Sequence, residues 1–296
     1  MFPNKEYLKF IESSRQKGLD IVGTSVIETL GSTYAKPGNM ILVNSHGEFT
    51  GVLGSPSLHN KIFALSKELL ESKESLYFEN TPEDKESGHG VSRYLVQPFF
   101  YNDNYGPLGI SVDNAGKTLS RSIKDFSFEI VDDTIETKLE NEIFYQTIEK
   151  PYSLLVFGSG AHVTSLLSMA NVMGWETTII DMKMSEAYVN KADKLIKLEN
   201  IKDILSMDLS AYNASVILSH SPKTDDTYLE ALLHSNVEYI GILGNKKNME
   251  KKREQFNLYD DNRFFAPVGL DIGGITQQSI ALSICAQIEA KKNGKI

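Results

Sequence analysis

Apolar residues in the second half of the chain alternate between short runs and helical spacings. Ser153–Phe157 is a short run rich in Leu and Val, which is typical of a buried strand. Gly174 ends the segment that follows, and Glu176–Ile180 is a second strand-like run. Between the two runs, apolar side chains recur on one face of a predicted helix, at Val163, Leu166, Leu167, Ala170 and Met173. The pattern predicts a strand–turn–helix–strand unit.

The turn between the first strand and the helix is rich in glycine, and the second strand closes on an acid, Asp181. Such a turn offers backbone N–H groups and a helix N-terminus to a phosphate, while the acid can accept a hydrogen bond from a ribose hydroxyl. This order predicts a dinucleotide-binding unit, although a tight turn that binds nothing has the same glycines. Val163 replaces the third glycine of the usual fingerprint, so we expect the helix slightly further from the strand. The candidate ligand contacts are Gly158, Ser159, Gly160, Ala161, His162 and Asp181.

Strands and helices continue to alternate after Asp181. Ala214–His220 and Glu238–Leu243 have the composition of buried strands. Helical patterns occupy Ile201–Met207, Asp225–Leu233, Lys246–Phe256 and Thr276–Ala290. The alternation predicts a parallel, doubly wound sheet, a Rossmann-like α/β domain. Since ligands gather at the carboxyl ends of parallel strands, we expect His220 and Gly244 to point toward the same crevice as the glycine turn.

The first half predicts a mixture of helices and strands, an α+β domain. The helices are expected at Lys5–Gln16 and at Leu58–Leu70, with Ser57 as the N-cap of the second. The strands are expected at Ile21–Glu28, Asn39–Asn44, Phe49–Leu53, Ser75–Asn80, Arg93–Tyr101 and Phe126–Val131. The charged, glycine-free segment 132–150 is the best candidate for a linker or connecting helix. We therefore expect an N-terminal domain over 1–131, a linker over 132–150 and a Rossmann-like domain over 151–296.

Composition narrows the class of protein. The chain has 296 residues, of which 41% are hydrophobic, so it can fill one large core or two ordinary ones. No apolar run approaches the roughly 20 residues of a membrane span, and the N-terminus lacks the apolar region of a signal peptide. The single cysteine excludes an intrachain disulfide and a thiolate zinc cluster. These features favour a cytoplasmic protein.

The net charge is −9 and is unevenly distributed. Residues 1–150 carry 15 Lys and Arg against 22 Asp and Glu, whereas residues 151–296 carry 15 against 17. An acidic surface repels a phosphate backbone, so nucleic acid is not expected as a partner.

Three further residues are candidates for ligand binding. His220 ends a strand and is followed by Asp225 and Asp226, which either contribute to the site or cap the next helix. Lys246 follows a Gly-Asn turn and is a candidate phosphate contact, or part of a solvated helix face. Asp271 lies between two glycines and either orients a ligand or caps the final helix. The sequence contains no recognisable catalytic nucleophile and no spacing of histidines typical of a metal site.

Several segments together resemble the XdhC/CoxI family, the accessory proteins of xanthine-dehydrogenase-type molybdenum enzymes. In the second half they are LLVFGSGAHV, GWETTIID, LSHSPKTDD, YIGILGNKK and PVGLDIGGITQQSIALSICAQI, and in the first half VIETLGSTYAKPGNMILVNSHGEFTG. The resemblance implies an N-terminal α+β domain, a C-terminal Rossmann domain and a homodimer. It implies binding of the molybdenum cofactor (molybdopterin), help with its sulfuration and delivery to an apo molybdenum hydroxylase, with a cysteine desulfurase as a further partner.

The chain departs from that family at two cysteine positions. After Gly51 the family has a Ser-Gly-Gly-Cys segment, and its cysteine falls on Ser57 here. A second family cysteine falls on Val91. Since both thiols are missing, the implied sulfur transfer is not expected of this chain.

Three functions are compatible with these features. The first is a cofactor-binding accessory protein without enzymatic activity. The second is an NAD(P)-dependent oxidoreductase, in which Asp181 would favour NAD because it repels a 2′-phosphate. The third is a relative that has lost its ligand and acts only through protein interactions, which the loss of both cysteines favours.

Overall fold

The chain divides into two units between Lys150 and Pro151. The computed structural model describes residues 1–2, 4–81, 90–110, 112–219 and 221–296. The two units comprise Met1–Lys150 and Pro151–Ile296, and each has its own hydrophobic core.

The N-terminal unit contains two antiparallel sheets. Its strands are β1 (Ile21–Leu30), β2 (Met40–Asn44), β3 (Phe49–Thr50), β4 (Leu76–Asn80), β5 (Val91–Phe99), β6 (Thr118–Ser122), β7 (Phe128–Val131), β8 (Lys138–Glu140) and β9 (Ile143–Thr147). Its helices are α1 (Lys5–Gln16), α2 (Pro56–Ser72) and α3 (Pro107–Ile110), with 3₁₀ turns at Tyr101–Asp103 and Val112–Asn114. The strand orders are β3-β2-β1-β5-β4 and β7-β6-β9-β8.

Side chains along β1 alternate between the two faces of its sheet, and each face packs against a different layer of the N-terminal unit. Val22 and Val26 pack with apolar residues of α2, while Ile21 and Ile27 point to the other face. On that face they share clusters with residues of the four-stranded sheet, Leu119 and Phe144. The predicted α+β architecture is therefore confirmed.

Segment 132–150 is not a linker. It contributes β8 and β9, and β9 pairs with both β6 and β8. The side chains of Phe144 and Gln146 are buried, whereas their neighbours in β9 are half-buried. The prediction of a linker was wrong because the many charged residues of this segment obscure the apolar–polar alternation of a short strand.

The N-cap of α2 is Ser55 and not Ser57. The Ser55 hydroxyl oxygen accepts from the Leu58 backbone N–H at 3.3 Å, and Pro56 occupies the first helical position. Proline is favoured there because the position needs no backbone N–H donor.

The C-terminal unit is a parallel six-stranded sheet covered by helices. Its strands are β10 (Ser153–Phe157), β11 (Glu176–Asp181), β12 (Lys194–Lys197), β13 (Ala214–Ile217), β14 (Tyr239–Ile242) and β15 (Phe264–Phe265). Its helices are α4 (Ala161–Val172), α5 (Glu186–Val189), α6 (Pro222–Leu233), α7 (Lys246–Phe256) and α8 (Gln277–Lys292), with a 3₁₀ helix at Ile201–Ser206. The predicted parallel, Rossmann-like sheet is confirmed.

The strand order is β12-β11-β10-β13-β14-β15, which is the order of a dinucleotide-binding doubly wound fold. Apolar residues of α4 and α8 pack in one core cluster, and those of α6 and α7 pack in the other. The chain reverses its direction of winding between β10 and β13. Ligands of such sheets bind outside the carboxyl ends of the strands at this switch point, which is therefore the expected place for a site.

Candidate functional site

Gly158 is the first residue of the turn after β10, and its backbone can be adopted only by glycine without strain. Its φ is +111°, and a Cβ would lie 2.9 Å from the carbonyl carbon and oxygen of Leu218 and 3.0 Å from Cα of Ser219. The Gly158 N–H donates to the Ile180 carbonyl at 3.1 Å. Gly158 therefore brings the turns after β10 and β13 into backbone contact at the switch point.

Gly160 differs from Gly158 in its exposure, in its backbone conformation and in the space around its Cα. It is exposed, its φ is −79°, and a Cβ would meet no atom of the described residues within 4 Å. As the N-cap of α4 it provides no side-chain cap. The first N–H groups of a helix have no partner within the helix, so this end offers donors to an anion across open space. Ala161 and His162 form the first turn and are half-buried.

Val163, which replaces the third fingerprint glycine, is completely buried in the core cluster shared by α4 and the sheet. A glycine at this position would let α4 approach β10 more closely, and the Val163 side chain fills that space.

Asp181 ends β11 and is tied to the glycine turn. One carboxylate oxygen accepts from the Ser159 hydroxyl at 2.7 Å, and the other accepts from the Met182 N–H at 2.7 Å. The Ser159 hydroxyl also lies in hydrogen-bonding contact with the Lys183 carbonyl. Because only 5% of Ser159 is exposed, its side chain holds the turn against β11, and only its backbone is left to meet a ligand.

A second hydroxyl–carboxylate pair follows β13. The Ser219 hydroxyl donates to Asp225 at 2.5 Å and lies 3.0 Å from the Thr224 hydroxyl. Asp225 is buried in α6, whose N-cap is Ser221, so Asp225 does not cap that helix. The sequence pattern indicated Asp225 only as a neighbour of His220, and His220 lies outside the described residues.

Tyr228 is a buried residue of α6, near the carboxylates of Asp181 and Asp225, that the sequence did not single out. Its ring stacks on Phe157, with centroids 4.2 Å apart, and its buried hydroxyl has no hydrogen-bond partner in the described part of the chain. Burial raises the pKa of Tyr228, and the charges of Asp181 and Asp225 raise it further. The phenol therefore stays protonated. Tyr228 stands at the helical spacing of an ordinary core residue. The sequence therefore held no signal that its hydroxyl would lie near two carboxylates.

Lys246 and Asp271 are not joined to the glycine turn by a hydrogen bond or ion pair among the described residues. Lys246 is exposed at the first position of α7, and Asp271 is exposed before α8. Of the basic residues on α7, Lys252 is buried and forms an ion pair with Asp226 of α6. The structure therefore gathers residues 158–162, Asp181 and Ser219, while Lys246 and Asp271 are exposed and, in the described part of the chain, make no bond to that group.

A cavity of about 460 Å³ lies at the opposite edge of the sheet, near the amino ends of β14 and β15. Its main cationic residue, Arg263, is already paired with Asp261 and donates to the Ser235 carbonyl. Because this cavity lies away from the switch point and its arginine is occupied, we place the functional site at the glycine turn.

Neither position at which the resembling family carries a cysteine holds a thiol here. Ser57 is exposed in the first turn of α2, and Val91 begins β5. Cys285, the single cysteine of the chain, is 3% exposed within the α8 core cluster. Burial, with a smaller contribution from Glu289, raises the pKa of the Cys285 thiol to about 12.

We expect no persulfide on Cys285 after incubation with a cysteine desulfurase, cysteine and labelled sulfur. At pH 8 a thiol with such a pKa is about one part in ten thousand thiolate, and the thiolate is the reactive form. Cyanide-labile label would be measured on wild type and on Cys285→Ala. As a positive control, Ser57→Cys places an exposed thiol at a helix N-terminus and should take up label. Stoichiometric label on wild type that Cys285→Ala abolishes would contradict the expectation.

Two further observations concern membrane spans and metal ligands. Within the described ranges, no helix is both long and apolar enough to cross a membrane. The same residues contain no group of three or more His, Cys, Asp or Glu side chains that could hold a metal ion.

Comparisons with known proteins cover both units. Residues 154–288 match the family described as the XdhC Rossmann domain, and residues 14–79 match the XdhC and CoxI family. A curated relative from Bacillus subtilis (strain 168), named as a probable subunit of xanthine dehydrogenase, is 24% identical over 235 residues, which span 77% of this chain and 69% of the relative. The crystal structure of a xanthine dehydrogenase from Bacillus halodurans is similar in fold, with a TM-score of 0.82 and 20% identity, covering 100% of this chain and 97% of that one.

Proposed function

The chain belongs to the XdhC and CoxI family, and from that premise we propose that it is an accessory protein of a xanthine-dehydrogenase-type molybdenum enzyme. Its proposed task is to bind the molybdenum cofactor, or a related phosphate-bearing nucleotide cofactor, and to present it to the apo-enzyme. No enzymatic step of its own is part of this proposal.

The observation that carries the proposal is the open space beside Gly160 at the N-terminus of α4. The helix end offers N–H donors, and the absent side chain leaves room for a phosphate to approach them. The turn is held rigidly by Gly158 against the β13 turn and by Ser159 against Asp181. A site that is already formed loses little entropy when the ligand binds.

The residues present fit the phosphate end of such a cofactor. When bound, the cofactor would supply the molybdenum centre that the client enzyme needs. Gly160, Ala161 and His162 would hold its phosphate, and Asp181 would accept from a ribose hydroxyl if the cofactor is in a dinucleotide form. With Cys285 buried and a serine at position 57, the chain would hold and present the cofactor without transferring sulfur to it.

Mass spectrometry of gently purified protein tests the proposal most directly. A pterin phosphate or pterin dinucleotide that co-purifies, and is released on denaturation, is the expected result. Transfer of the molybdenum cofactor to an apo molybdenum hydroxylase, measured as recovered hydroxylase activity, would then test delivery. A protein that purifies empty, and fails to bind added cofactor, would contradict the proposal and support a role in protein interactions alone.

An NAD-dependent oxidoreductase is the second candidate. It is favoured by the strand order β12-β11-β10-β13-β14-β15 and by an acid at the end of β11, where a dinucleotide-binding fold places its ribose contact. Co-purified NAD in the same mass spectra would favour this candidate over the accessory role.

We expect Asp181→Ala to weaken binding of a ribose-containing cofactor at least tenfold. A hydrogen bond to a charged oxygen contributes about 1.5–3 kcal/mol, and each factor of ten corresponds to about 1.4 kcal/mol. Calorimetric titration with the co-purified cofactor, or with NAD if NAD is found, provides the dissociation constant.

Two variants control this measurement. Asp181→Asn keeps an acceptor for the Ser159 hydroxyl while it removes the charge, so it separates loss of the ribose contact from loosening of the turn. Asp260→Ala removes an exposed acid that precedes β15 and should leave binding unchanged. An unaltered dissociation constant for Asp181→Ala would leave Asp181 as a structural residue of β11.

A further inference from the structure

Residues 270–275, which we call the strap, join the end of the sheet to α8 and lie in no helix or strand. Three apolar side chains of the strap face solvent: Leu270 is 37%, Ile272 49% and Ile275 93% exposed. Each exposed apolar side chain forgoes the stabilisation that burial would give it. The strap therefore carries apolar surface that a ligand beside it would cover.

Hydrogen bonds anchor the strap at both of its ends. Before it, the Gly269 N–H donates to the Gln287 side chain at 2.8 Å; at its start, the Leu270 N–H donates to the Ser283 carbonyl at 3.2 Å. After it, the Thr276 hydroxyl oxygen accepts from the Ser279 N–H at 3.2 Å. Within the described ranges, residues 271–275 make no hydrogen bond. The anchors therefore fix where the strap begins and ends, and between them no hydrogen bond among the described residues holds it, although Gly274 packs against the Ser279 side chain.

Glycines give the strap a hinge. Gly269 has a φ of +97° and Gly273 a φ of +72°, and a Cβ at Gly273 would meet no atom of the described ranges within 4 Å. Residues with little steric restriction absorb the backbone changes of a moving loop at low cost. Gly273 thus allows the part of the strap that carries Ile272 and Ile275 to reorient.

The anchors lie at the edge of the sheet that holds the crevice. The Val268 N–H donates to the Ile242 carbonyl at the carboxyl end of β14. Val268 and Ile280, which flank the strap, belong to the same core cluster as Val163 of α4 and Leu218 after β13. Since Val268 bonds to the carboxyl end of β14, and α8 packs against α4, the strap lies at the same edge of the sheet as the glycine turn.

The fixed part of the crevice is polar. It consists of the backbone of the glycine turn, the carboxylate of Asp181 and the Ser219 hydroxyl. Sites for cofactors combine a few polar groups of this kind with a larger apolar surface that covers the ligand's rings. In the described part of this unit, the strap provides exposed apolar side chains at the edge of the sheet that holds the crevice.

We propose that the strap closes over an occupied crevice and that Ile272 and Ile275 cover a planar ring of the bound ligand. The inference rests on the proposed cofactor site and deepens it, because it assigns the residues of this chain that would cover the ligand's flat heterocycle. Closure would exclude water from the ligand and would bury side chains that the free protein leaves in solvent. Release to a client would require the strap to open again.

The test compares a probe with rings and a probe without them. NAD carries a pyrophosphate, two riboses and two rings, whereas inorganic pyrophosphate carries only the group that the glycine turn would hold. In the full chain, Ile272→Ser combined with Ile275→Ser should weaken NAD binding about tenfold or more in calorimetry and leave pyrophosphate binding unchanged. Both side chains are exposed in the free protein, so the double variant should fold normally.

A matched control and a second measurement complete the test. Leu282→Ser makes the same kind of change at a 50% exposed position of α8, outside the strap, and should alter neither affinity. Hydrogen exchange of residues 271–275 should slow when NAD is added and stay fast with pyrophosphate. Equal NAD affinity of wild type and the double variant, or exchange unaffected by NAD, overturns the inference.

The remaining outcomes separate the two proposals. A wild type that binds pyrophosphate but not NAD overturns the strap's role and leaves the phosphate site standing. A wild type that binds neither probe, and purifies without a phosphate-bearing cofactor, overturns the proposed function together with the inference.

Discussion

A Gly160→Val variant is expected to fold like wild type and to lose at least about a hundredfold in affinity for its phosphate-bearing cofactor. The introduced isopropyl group would fill the open space beside the N-terminus of α4, and the phosphate would lose two charge-assisted hydrogen bonds, each about 1.5–3 kcal/mol. Calorimetric titration with the co-purified cofactor measures the loss.

Folding of this variant can be followed separately from binding. Trp175, the single tryptophan, is buried in the core of the C-terminal unit, so its fluorescence reports on that unit. Since φ at Gly160 is ordinary, valine there should cost no more than about 1 kcal/mol, the difference between glycine and a poor N-cap. Gly160→Ala, with a smaller side chain, should give an intermediate affinity. A Gly160→Val protein that binds as tightly as wild type would show that the phosphate lies elsewhere.

Gly158→Ala should destabilise the C-terminal unit by about 3 kcal/mol or more. Alanine at a φ of +111° is strained, and its Cβ would lie only 2.9–3.0 Å from backbone atoms of Leu218 and Ser219. Backbone atoms cannot move aside as a flexible side chain can, so the two central turns of the sheet must separate. Urea unfolding followed by Trp175 fluorescence measures the change in the free energy of unfolding.

Gly160→Ala is the matched control for this prediction, because it adds the same methyl group two residues away in open space. It should change the unfolding free energy by no more than about 1 kcal/mol, the difference between glycine and a poor N-cap. The contrast would be contradicted if both alanine variants unfolded at the same urea concentration. The two variants also separate two uses of glycine in one turn. Gly158 allows two turns to pack together, whereas Gly160 leaves room for a phosphate to reach the helix N-terminus.

The sequence predicted the central unit of the fold almost to the residue. Ser153–Phe157, the glycine turn, the helix and the strand ending at Asp181 lie where the pattern placed them. Helices at Lys5–Gln16 and Lys246–Phe256 have the predicted bounds. These elements carry their signals locally, as an apolar run, a glycine that permits a turn, or apolar side chains at helical spacing.

Elements that depend on distant partners were predicted less well. The pattern indicates a linker where β8 and β9 lie, and it does not indicate the edge strand β12. All three strands are short, and β8 and β12 carry charged side chains. They become strands because β9 pairs with β6, β8 pairs with β9, and β12 pairs with β11. Strand pairing of this kind joins residues far apart in sequence, so no local pattern contains it.

Within the candidate site, the sequence by itself determined which residue types stand at the strand ends: glycines after β10, an acid at the end of β11 and polar residues after β13 and β14. Only the tertiary structure decided what each side chain does. It turned the Ser159 hydroxyl inward to Asp181, buried Asp225 against Ser219, and placed the Tyr228 hydroxyl near two carboxylates. It also left Gly160 facing open space and the strap in solvent. The reason is physical: backbone conformation follows from neighbouring residues, whereas burial and hydrogen-bond partners depend on which elements the fold brings together.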